Sequence, residues 1–183
     1  LEAFSIATGR RPDLDWRLTL VGNRYAGGDE IVAAVEAACE ADPRIRWLGV
    51  VSDDELRRLY DECHFTVYPS LVEGFGLPIL ESIWHGKPCI CHQEGVMAEL
   101  SVDGACLTVD SRSAPAMADG FVRMAASASE YTELVQQALA RRVKTWPRYA
   151  RDVLSHMASA RPTHHEHDTP THSGLPRSQW QQL

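Results

Sequence analysis

The sequence predicts an α/β fold in which helices cover both faces of a parallel β-sheet. Short apolar runs of strand-like composition alternate with helical patterns along the chain, and the connections between them are short. Such alternation is typical of parallel sheets, whose strands are joined by helices that pack on the sheet faces. At 183 residues, with 44% hydrophobic and 23% charged side chains, the chain can form one domain with a substantial core and is short for two.

The first elements predicted are a helix, a strand and a second helix. Residues 1–7 have the pattern of the second half of an amphipathic helix, and the first residue is not methionine. We therefore expect a fragment of a longer protein whose missing part lies mainly upstream. Residues 16–21 alternate polar and apolar side chains before Gly22 and Asn23, which predicts a strand followed by a turn. Residues 30–41 are rich in alanine and carry apolar side chains on one side, which predicts a helix.

A strand, a capped helix and a buried strand come next. Residues 45–49, Ile-Arg-Trp-Leu-Gly, are predicted to form a second short strand. Ser52 and Glu55 match a capping box, in which Ser52 caps the helix and Glu55 hydrogen-bonds back to the backbone N–H of Ser52. This helix is predicted to continue to about Cys63, and the apolar residues 65–68 form the strand that follows.

Pro78 is predicted to begin the helix after that strand. Proline is favoured at the first helical position, because an N–H group there would have no partner within the helix. The helix is predicted to end near Gly86. The remaining patterns predict strands at residues 88–92 and 105–109, and helices at residues 95–100, 114–126, 130–144 and 149–157.

The C-terminal residues differ in composition from the rest of the chain. From residue 161 onward histidine, proline, serine and glutamine are frequent and no periodic pattern remains, which predicts disorder. We therefore assign residues 1–158 to one domain and residues 159–183 to a tail. The tail histidines, at positions 164, 165, 167 and 172, match no tetrahedral zinc spacing, so no metal site is predicted.

Composition argues against several classes of function. The net charge is −7 and no long basic run occurs, which argues against nucleic-acid binding. No stretch approaches the roughly 20 apolar residues that a membrane-spanning helix needs, and no signal-peptide pattern is present at the start. The five cysteines form no Cys-x-x-Cys pair, so we expect free thiols in a reducing cytoplasm rather than disulfides or metal ligands.

Glu73 and Glu81 are the most informative pair in the sequence. Seven residues separate them, including two glycines and Pro78, so Glu73 lies in a strand-to-helix loop and Glu81 in the first turns of the helix. In an open parallel sheet, ligands bind beyond the carboxyl ends of the strands. There the helix offers unpaired N–H groups and a positive dipole end, which suit a diphosphate.

The two carboxylates would repel phosphate, so we expect them to bind neutral hydroxyl groups. An ionised glutamate only accepts hydrogen bonds and can hold adjacent sugar hydroxyls. Glu73 and Glu81 could therefore hold different sugars of one donor, with its phosphates on backbone amides between them. By spacing alone a structural interpretation fits as well, since glycine loops before helices are common and an acidic residue near a helix start complements the dipole.

The surrounding sequence favours the functional interpretation, because it resembles a known family. Residues 69–70, 73–81 and 86–88 are similar to the Glu-x7-Glu signature of the retaining GT-B glycosyltransferases of family 4. Matching segments stand in the family's order at residues 20–22, 47–56, 95–99, 103–104 and 146–154. The resemblance covers about residues 1–158, and it implies a Rossmann-like C-terminal domain that binds the sugar donor.

The resemblance also implies roles for individual residues. Glu73 would contact the transferred sugar near its reacting centre and is the expected catalytic residue. The donor sugar and its phosphates would lie on the backbone of Gly74, Phe75, Gly76 and Leu77. The nucleotide would be bound by Glu81 at the ribose hydroxyls, by Gly22 and Asn23 near the phosphates, and by Val50 and Val51 near the base.

The activity implied is retaining transfer of a hexose from a nucleoside-diphosphate sugar to a saccharide or lipid-linked acceptor, as in polysaccharide or O-antigen biosynthesis. Similarity to bacterial polysaccharide mannosyltransferases makes GDP-mannose the first choice of donor and UDP-sugars the second. No cofactor or metal is expected, since cationic side chains and helix dipoles neutralise the leaving diphosphate. The parent protein is expected in the cytoplasm, with peripheral association at the inner face of the membrane as an option.

Parts of the family's site are expected to lie outside this chain. An arginine and a lysine that clamp the diphosphate usually precede the first helix, and the acceptor-binding domain precedes them. We therefore expect the isolated chain to be inactive. The alternative function is a non-catalytic nucleotide-binding or scaffold domain of a larger assembly, which an upstream sequence without these features would favour.

Overall fold

The structure is a computed structural model that describes residues 1–24 and 27–159. In these ranges the strands are β1 (Leu18–Leu20), β2 (Ile45–Trp47), β3 (Thr66–Tyr68), β4 (Cys89–His92) and β5 (Cys106–Val109). The helices are α1 (Glu2–Arg10), α2 (Asp29–Ala41), α3 (Asp53–Glu62), α4 (Leu77–Trp84), α5 (Gly95–Ser101), α6 (Ala114–Ala126), α7 (Ala128–Ala140) and α8 (Trp146–Ser159). None of the helices in these ranges has the length and hydrophobicity to cross a membrane.

The chain divides into two compact units, residues 1–143 and the residues from Lys144 onward. The first unit contains all the described strands and helices α1–α7. In the described part of the second unit, Lys144 pairs with Asp152 at 2.7 Å, and the rings of Trp146 and Tyr149 pack edge to face. The predicted tail lies outside the described residues, apart from the last residue of α8.

The strands are parallel and flanked by helices, which confirms the α/β class. In the described residues they form two sheets rather than one: β1 pairs with β2, and the second sheet has the order β3-β4-β5. Leu18 lies opposite Ile45 in the first sheet, and Thr66 lies opposite Cys89 in the second. All four residues of β4 are buried, whereas β1 and β3 are half-buried throughout, because β4 has a neighbour on each side.

One hydrophobic core extends across both sheets. Its buried members come from β2, β4 and β5, from the loop before β1, and from α1, α6 and α7, and they include Phe4, Trp16, Ile45, Ile90, Leu107 and Phe121. Phe4 meets Trp16 edge to face, with ring centroids 6.2 Å apart. This shared core joins the two sheets into one unit.

A second cluster holds α4 against its sheet. Ile79 and Ile83 are 0% and 2% exposed, and they pack with Cys89 and Cys91 of β4 and Met97 of α5. Burying an isoleucine side chain contributes about 1.5–3 kcal/mol, so this contact fixes the helix that follows the Glu73 loop. All five cysteines of the chain are free thiols.

Ser52 caps the start of α3, whereas a left-handed glycine precedes α4. The backbone N–H of Glu55 donates to Ser52 Oγ at 3.2 Å, as the capping box predicts. The predicted reciprocal bond is replaced, because the carboxylate of Glu55 pairs with Arg58 instead. In α4, Leu77 is the first helical residue and Pro78 the second, whereas Pro78 was predicted to be the first. The helix begins one residue earlier because Gly76, in left-handed backbone, is the residue that precedes it.

Candidate functional site

The loop between β3 and α4 carries the two predicted glutamates. β3 ends at Tyr68, Glu73 lies in the loop, and Glu81 lies in the second turn of α4. Glu73 is half-buried and Glu81 is exposed. The placement inferred from sequence is therefore correct for both side chains, one before the helix and one within it.

Two hydroxyl groups hold the carboxylate of Glu73. Tyr68 Oη donates to Glu73 Oε1 at 2.5 Å, and Ser70 Oγ donates to the same oxygen at 2.8 Å. Charge-assisted bonds of this kind favour the ionised carboxylate. The hydrogen bond from Tyr68, followed by that from Ser70, lowers the pKa of Glu73 below its ordinary value, so the carboxylate is an anion at neutral pH.

A tyrosine from the preceding helix contacts Glu81. Tyr60 Oη of α3 donates to Glu81 Oε2 at 3.1 Å, and the Tyr60 ring stacks on His85 with centroids 4.6 Å apart and planes 8° apart. Burial, and then the charge of Glu81, raises the pKa of Tyr60, so its phenol remains a donor. Tyr60 thus ties α3 to α4 at the second predicted carboxylate.

Gly76 is the residue of the predicted glycine loop whose backbone conformation favours glycine. Gly76 has φ 75° and ψ 42°, which is left-handed backbone. A Cβ atom on Gly76 would lie 2.8 Å from Leu100 Cδ1, so the conformation favours glycine and a larger residue would also displace the end of the Leu100 side chain. Gly74, Phe75 and Leu77 are exposed, whereas Gly76, which lies between them, is buried.

The start of α4 has no side-chain cap. Gly76, which precedes the helix, has no side chain to cap the first turn, and that turn contains no acidic residue. Pro78 has no N–H, and the Ile79 N–H donates to the Gly76 carbonyl at 3.1 Å. The positive end of the helix dipole, which the helix's own side chains do not neutralise, is therefore the feature of this turn that suits an anionic ligand.

The other predicted nucleotide contacts lie at the ends of β1 and β2. The N–H of Gly22 donates to the Gly49 carbonyl at 2.9 Å, which draws the two strand ends together. Gly22 and Asn23 are exposed there, Val50 is 73% exposed, and Val51 is half-buried. In the described part of the chain, no hydrogen bond joins this group to the Glu73 loop, so the predicted residues form two groups.

A shallow cavity lies beside Gly22 and Asn23. It measures about 220 Å³, and its walls include Ile31 and Trp47. Trp47 Nε1 donates to the Gly22 carbonyl at 3.0 Å, and the Arg24 guanidinium lies 5.4 Å from the Trp47 ring centroid. Ligand pockets usually enclose about 300–1,000 Å³, so this cavity has room for only part of a ligand.

Tyr60 and Tyr68 were not predicted from the sequence. The position of Tyr68 at the end of a strand was visible, but its hydrogen bond to Glu73 follows from the path of the loop, which has no periodic pattern. Tyr60 reaches Glu81 across two elements, 21 positions away. In the described residues, no group of three or more His, Cys, Asp or Glu side chains is placed to hold a metal ion.

Comparison with known proteins identifies the family. Residues 1–127 match the family described as glycosyl transferases group 1. The chain is 42% identical over 88 residues to O-antigen chain mannosyltransferase B of Escherichia coli, which covers 48% of this chain and 23% of that protein. It is 30% identical over 122 residues to the D-inositol 3-phosphate glycosyltransferase of Pseudarthrobacter chlorophenolicus, which covers 66% of this chain and 29% of that protein.

A solved structure supports the same fold. Anabaena HepE, in complex with UDP and glucose, superposes with a TM-score of 0.69 at 19% identity, over 86% of this chain and 44% of that one. The chain spans about a quarter of the length of the two curated relatives, 23% and 29%. The matched segment, residues 1–127, contains the whole Glu73 loop, α4 and both strand ends described above. The chain therefore belongs to the group 1 glycosyltransferase family.

Proposed function

We propose that this chain is the donor-binding part of a retaining hexosyltransferase. It binds a nucleoside-diphosphate sugar, and the whole protein transfers the hexose to a saccharide or lipid-linked acceptor in polysaccharide or O-antigen biosynthesis. The observation that carries the proposal is the fixed, ionised carboxylate of Glu73 beside the uncapped start of α4. Acceptor binding is assigned to residues outside this chain.

In this proposal the positive end of α4 faces the phosphates of the donor, and the carboxylate of Glu73 faces its sugar. The backbone of Gly74, Phe75, Gly76 and Leu77 faces the sugar and the phosphates at the positive end of α4. Glu73 accepts a hydrogen bond from a hydroxyl of the transferred hexose and opposes the positive charge that develops at its reacting carbon.

The nucleotide then extends from α4 toward the ends of β1 and β2. Glu81 accepts hydrogen bonds from the ribose hydroxyls. Gly22 and Asn23 lie near the phosphates, and Val50 and Val51 contact the base. We assign no metal or cofactor to the reaction, since cationic side chains and helix dipoles of the whole protein neutralise the leaving diphosphate.

GDP-mannose is the first candidate donor, because the Escherichia coli relative is an O-antigen chain mannosyltransferase. UDP-sugars are the second, because the Anabaena structure contains UDP and glucose. The free thiols suit a reducing compartment. We therefore place the activity in the cytoplasm, at the inner face of the membrane where the acceptor is lipid-linked.

A carboxylate-to-amide change in the full-length protein tests the role of Glu73. Glu73→Gln keeps the shape of the side chain but removes its charge, and we expect kcat/KM for transfer to fall by about 10²–10³-fold, the size of losing one preorganised electrostatic contact. Glu81→Gln should instead raise the KM for the donor. Glu62→Gln, an exposed change of the same kind in α3, is the matched control and should leave both parameters unchanged.

The outcome also separates the enzyme from a scaffold. Transfer by Glu73→Gln at the rate of the control would contradict the catalytic role. Thermal unfolding with GDP, UDP, ADP and their sugars identifies the base, because a ligand raises stability by RT ln(1 + [L]/Kd). Nucleotide binding without transfer to any saccharide acceptor would favour the scaffold function.

A further inference from the structure

We infer that Tyr68 and Ser70 are positioning residues that fix Glu73 through one carboxylate oxygen and leave the other oxygen free for a hydroxyl of the donor sugar. The inference rests on the proposed function of Glu73. It adds two residues whose side chains act on the carboxylate rather than on the ligand.

The geometry assigns different tasks to the two oxygens of Glu73. Both hydroxyls donate to Oε1, from Tyr68 at 2.5 Å and from Ser70 at 2.8 Å. In the described residues, every hydrogen bond to the Glu73 carboxylate ends on Oε1. An ionised carboxylate has about four acceptor positions, so Oε1 is occupied and Oε2 remains an acceptor.

The surroundings of Tyr68 and Ser70 direct both hydroxyl groups to Glu73. Tyr68 is the last residue of β3, and its ring packs against the buried cluster that contains Ile79 and Met97. Ser70 Oγ also lies 3.3 Å from the Val72 carbonyl, a longer contact than its 2.8 Å bond to Glu73 Oε1, so its single proton is directed to Glu73. A flexible glutamate on an exposed loop is thereby oriented before ligand binds, which is the main requirement for an electrostatic contact in catalysis.

The protonation states keep these bonds directional. Burial, followed by the hydrogen bond to Glu73, raises the pKa of Tyr68 to about 12, so the phenol keeps its proton at neutral pH. The same bonds lower the pKa of Glu73, and burial opposes them. In the described residues, Tyr68 and Ser70 are the groups that lower this pKa, so removing either hydroxyl should raise it toward its ordinary value.

The test measures transfer against pH in the full-length protein with Tyr68→Phe and Ser70→Ala. Each variant should lower kcat/KM about ten-fold, the size expected for losing a hydrogen bond to an ionised group. Each should also move the acid limb of the pH profile to higher pH, because Glu73 then protonates earlier. Tyr131→Phe is the matched control: it removes a phenol that donates to the His64 carbonyl at 3.1 Å, and it should leave the acid limb in place.

The pH readout distinguishes positioning from loss of structure. An acid limb that stays at the wild-type pH in both variants would overturn the inference, whatever happens to kcat/KM. If Tyr68→Phe does not fold, Ser70→Ala gives the same readout alone. Glu73→Gln in the same series separates the two proposals. Retained transfer by Glu73→Gln would contradict the proposed function. Lost transfer by Glu73→Gln, together with an unmoved acid limb in Tyr68→Phe and Ser70→Ala, would contradict only the positioning role.

Discussion

Replacing Gly76 with alanine tests whether the Glu73 loop depends on a left-handed backbone at the start of α4. Gly76 has φ 75°, and a Cβ atom there would lie 2.8 Å from Leu100 Cδ1. Gly74, two residues earlier in the same loop, has no positive φ and no atom within 4 Å of a built Cβ. The two glycines therefore provide a matched pair for the same substitution.

The expected destabilisation follows from two contributions at Gly76. Left-handed backbone costs a residue with a Cβ about 1–2 kcal/mol. The contact with Leu100 adds about 1–2 kcal/mol, the lower part of the overpacking range, since the clash is with the far end of a flexible side chain. Gly76→Ala should therefore destabilise the fold by about 2–4 kcal/mol, a large part of a typical stability of about 5–15 kcal/mol. Gly74→Ala should change it by no more than about 0.5 kcal/mol.

Urea unfolding of the two variants, followed by circular dichroism, measures both values on the same scale. The double variant Gly76→Ala with Leu100→Ala should lose less stability than the sum of the single changes, because the smaller side chain removes the clash. Equal midpoints for Gly76→Ala and Gly74→Ala would refute the reasoning, and so would strict additivity in the double variant.

Three further predictions concern single side chains. Ser52→Ala should destabilise the fold by about 1 kcal/mol, since Ser52 caps α3; urea unfolding checks this, and an unchanged midpoint would show that the cap contributes nothing. Tyr60→Phe should weaken nucleotide binding by less than about ten-fold, because its partner Glu81 is exposed; titration with the preferred nucleotide measures the effect, and unchanged affinity would argue against Tyr60 as a support for Glu81. The folded-state pKa of Glu73 is lowered, so its contribution to stability is complete above its unfolded-state pKa and is lost as the pH falls through the folded-state pKa. The stability difference between wild type and Glu73→Gln should therefore narrow from neutral to acidic pH, and a constant difference would contradict the assigned shift.

The order and type of the elements were predictable because they depend on local patterns. Alternation in residues 16–21 and the alanine-rich face of residues 30–41 each gave the correct element, and Ser52 gave the correct helix start. The loop position of Glu73 was predictable for the same reason, since glycines and Pro78 mark the boundary between strand and helix.

The partners of the two glutamates were not predictable from local patterns. Tyr68 meets Glu73 because the loop turns back on the end of β3, and Tyr60 meets Glu81 because α3 lies beside α4. Both contacts depend on three-dimensional packing. The capping box at Ser52 was predicted correctly for the bond to the Glu55 N–H and wrongly for the reciprocal bond. The Glu55 carboxylate had a competing partner in Arg58, and a local pattern does not rank such partners.

The position of β3 in its sheet bears on how the site moves. β3 has a single hydrogen-bonded neighbour in the described residues, with the Thr66 N–H donating to the Pro88 carbonyl at 3.0 Å, whereas β4 is bonded on both sides. In a parallel ladder alternate residues direct their peptide groups to opposite sides, so the Val67 peptide faces the open edge. Amide hydrogens of β3 should exchange with solvent sooner than those of β4, since strand edges open at lower free energy than strand interiors. The Glu73 loop thus begins on an edge strand, for which we expect lower local stability than for β4, and a donor bound to that loop should slow exchange in β3 before it affects β4.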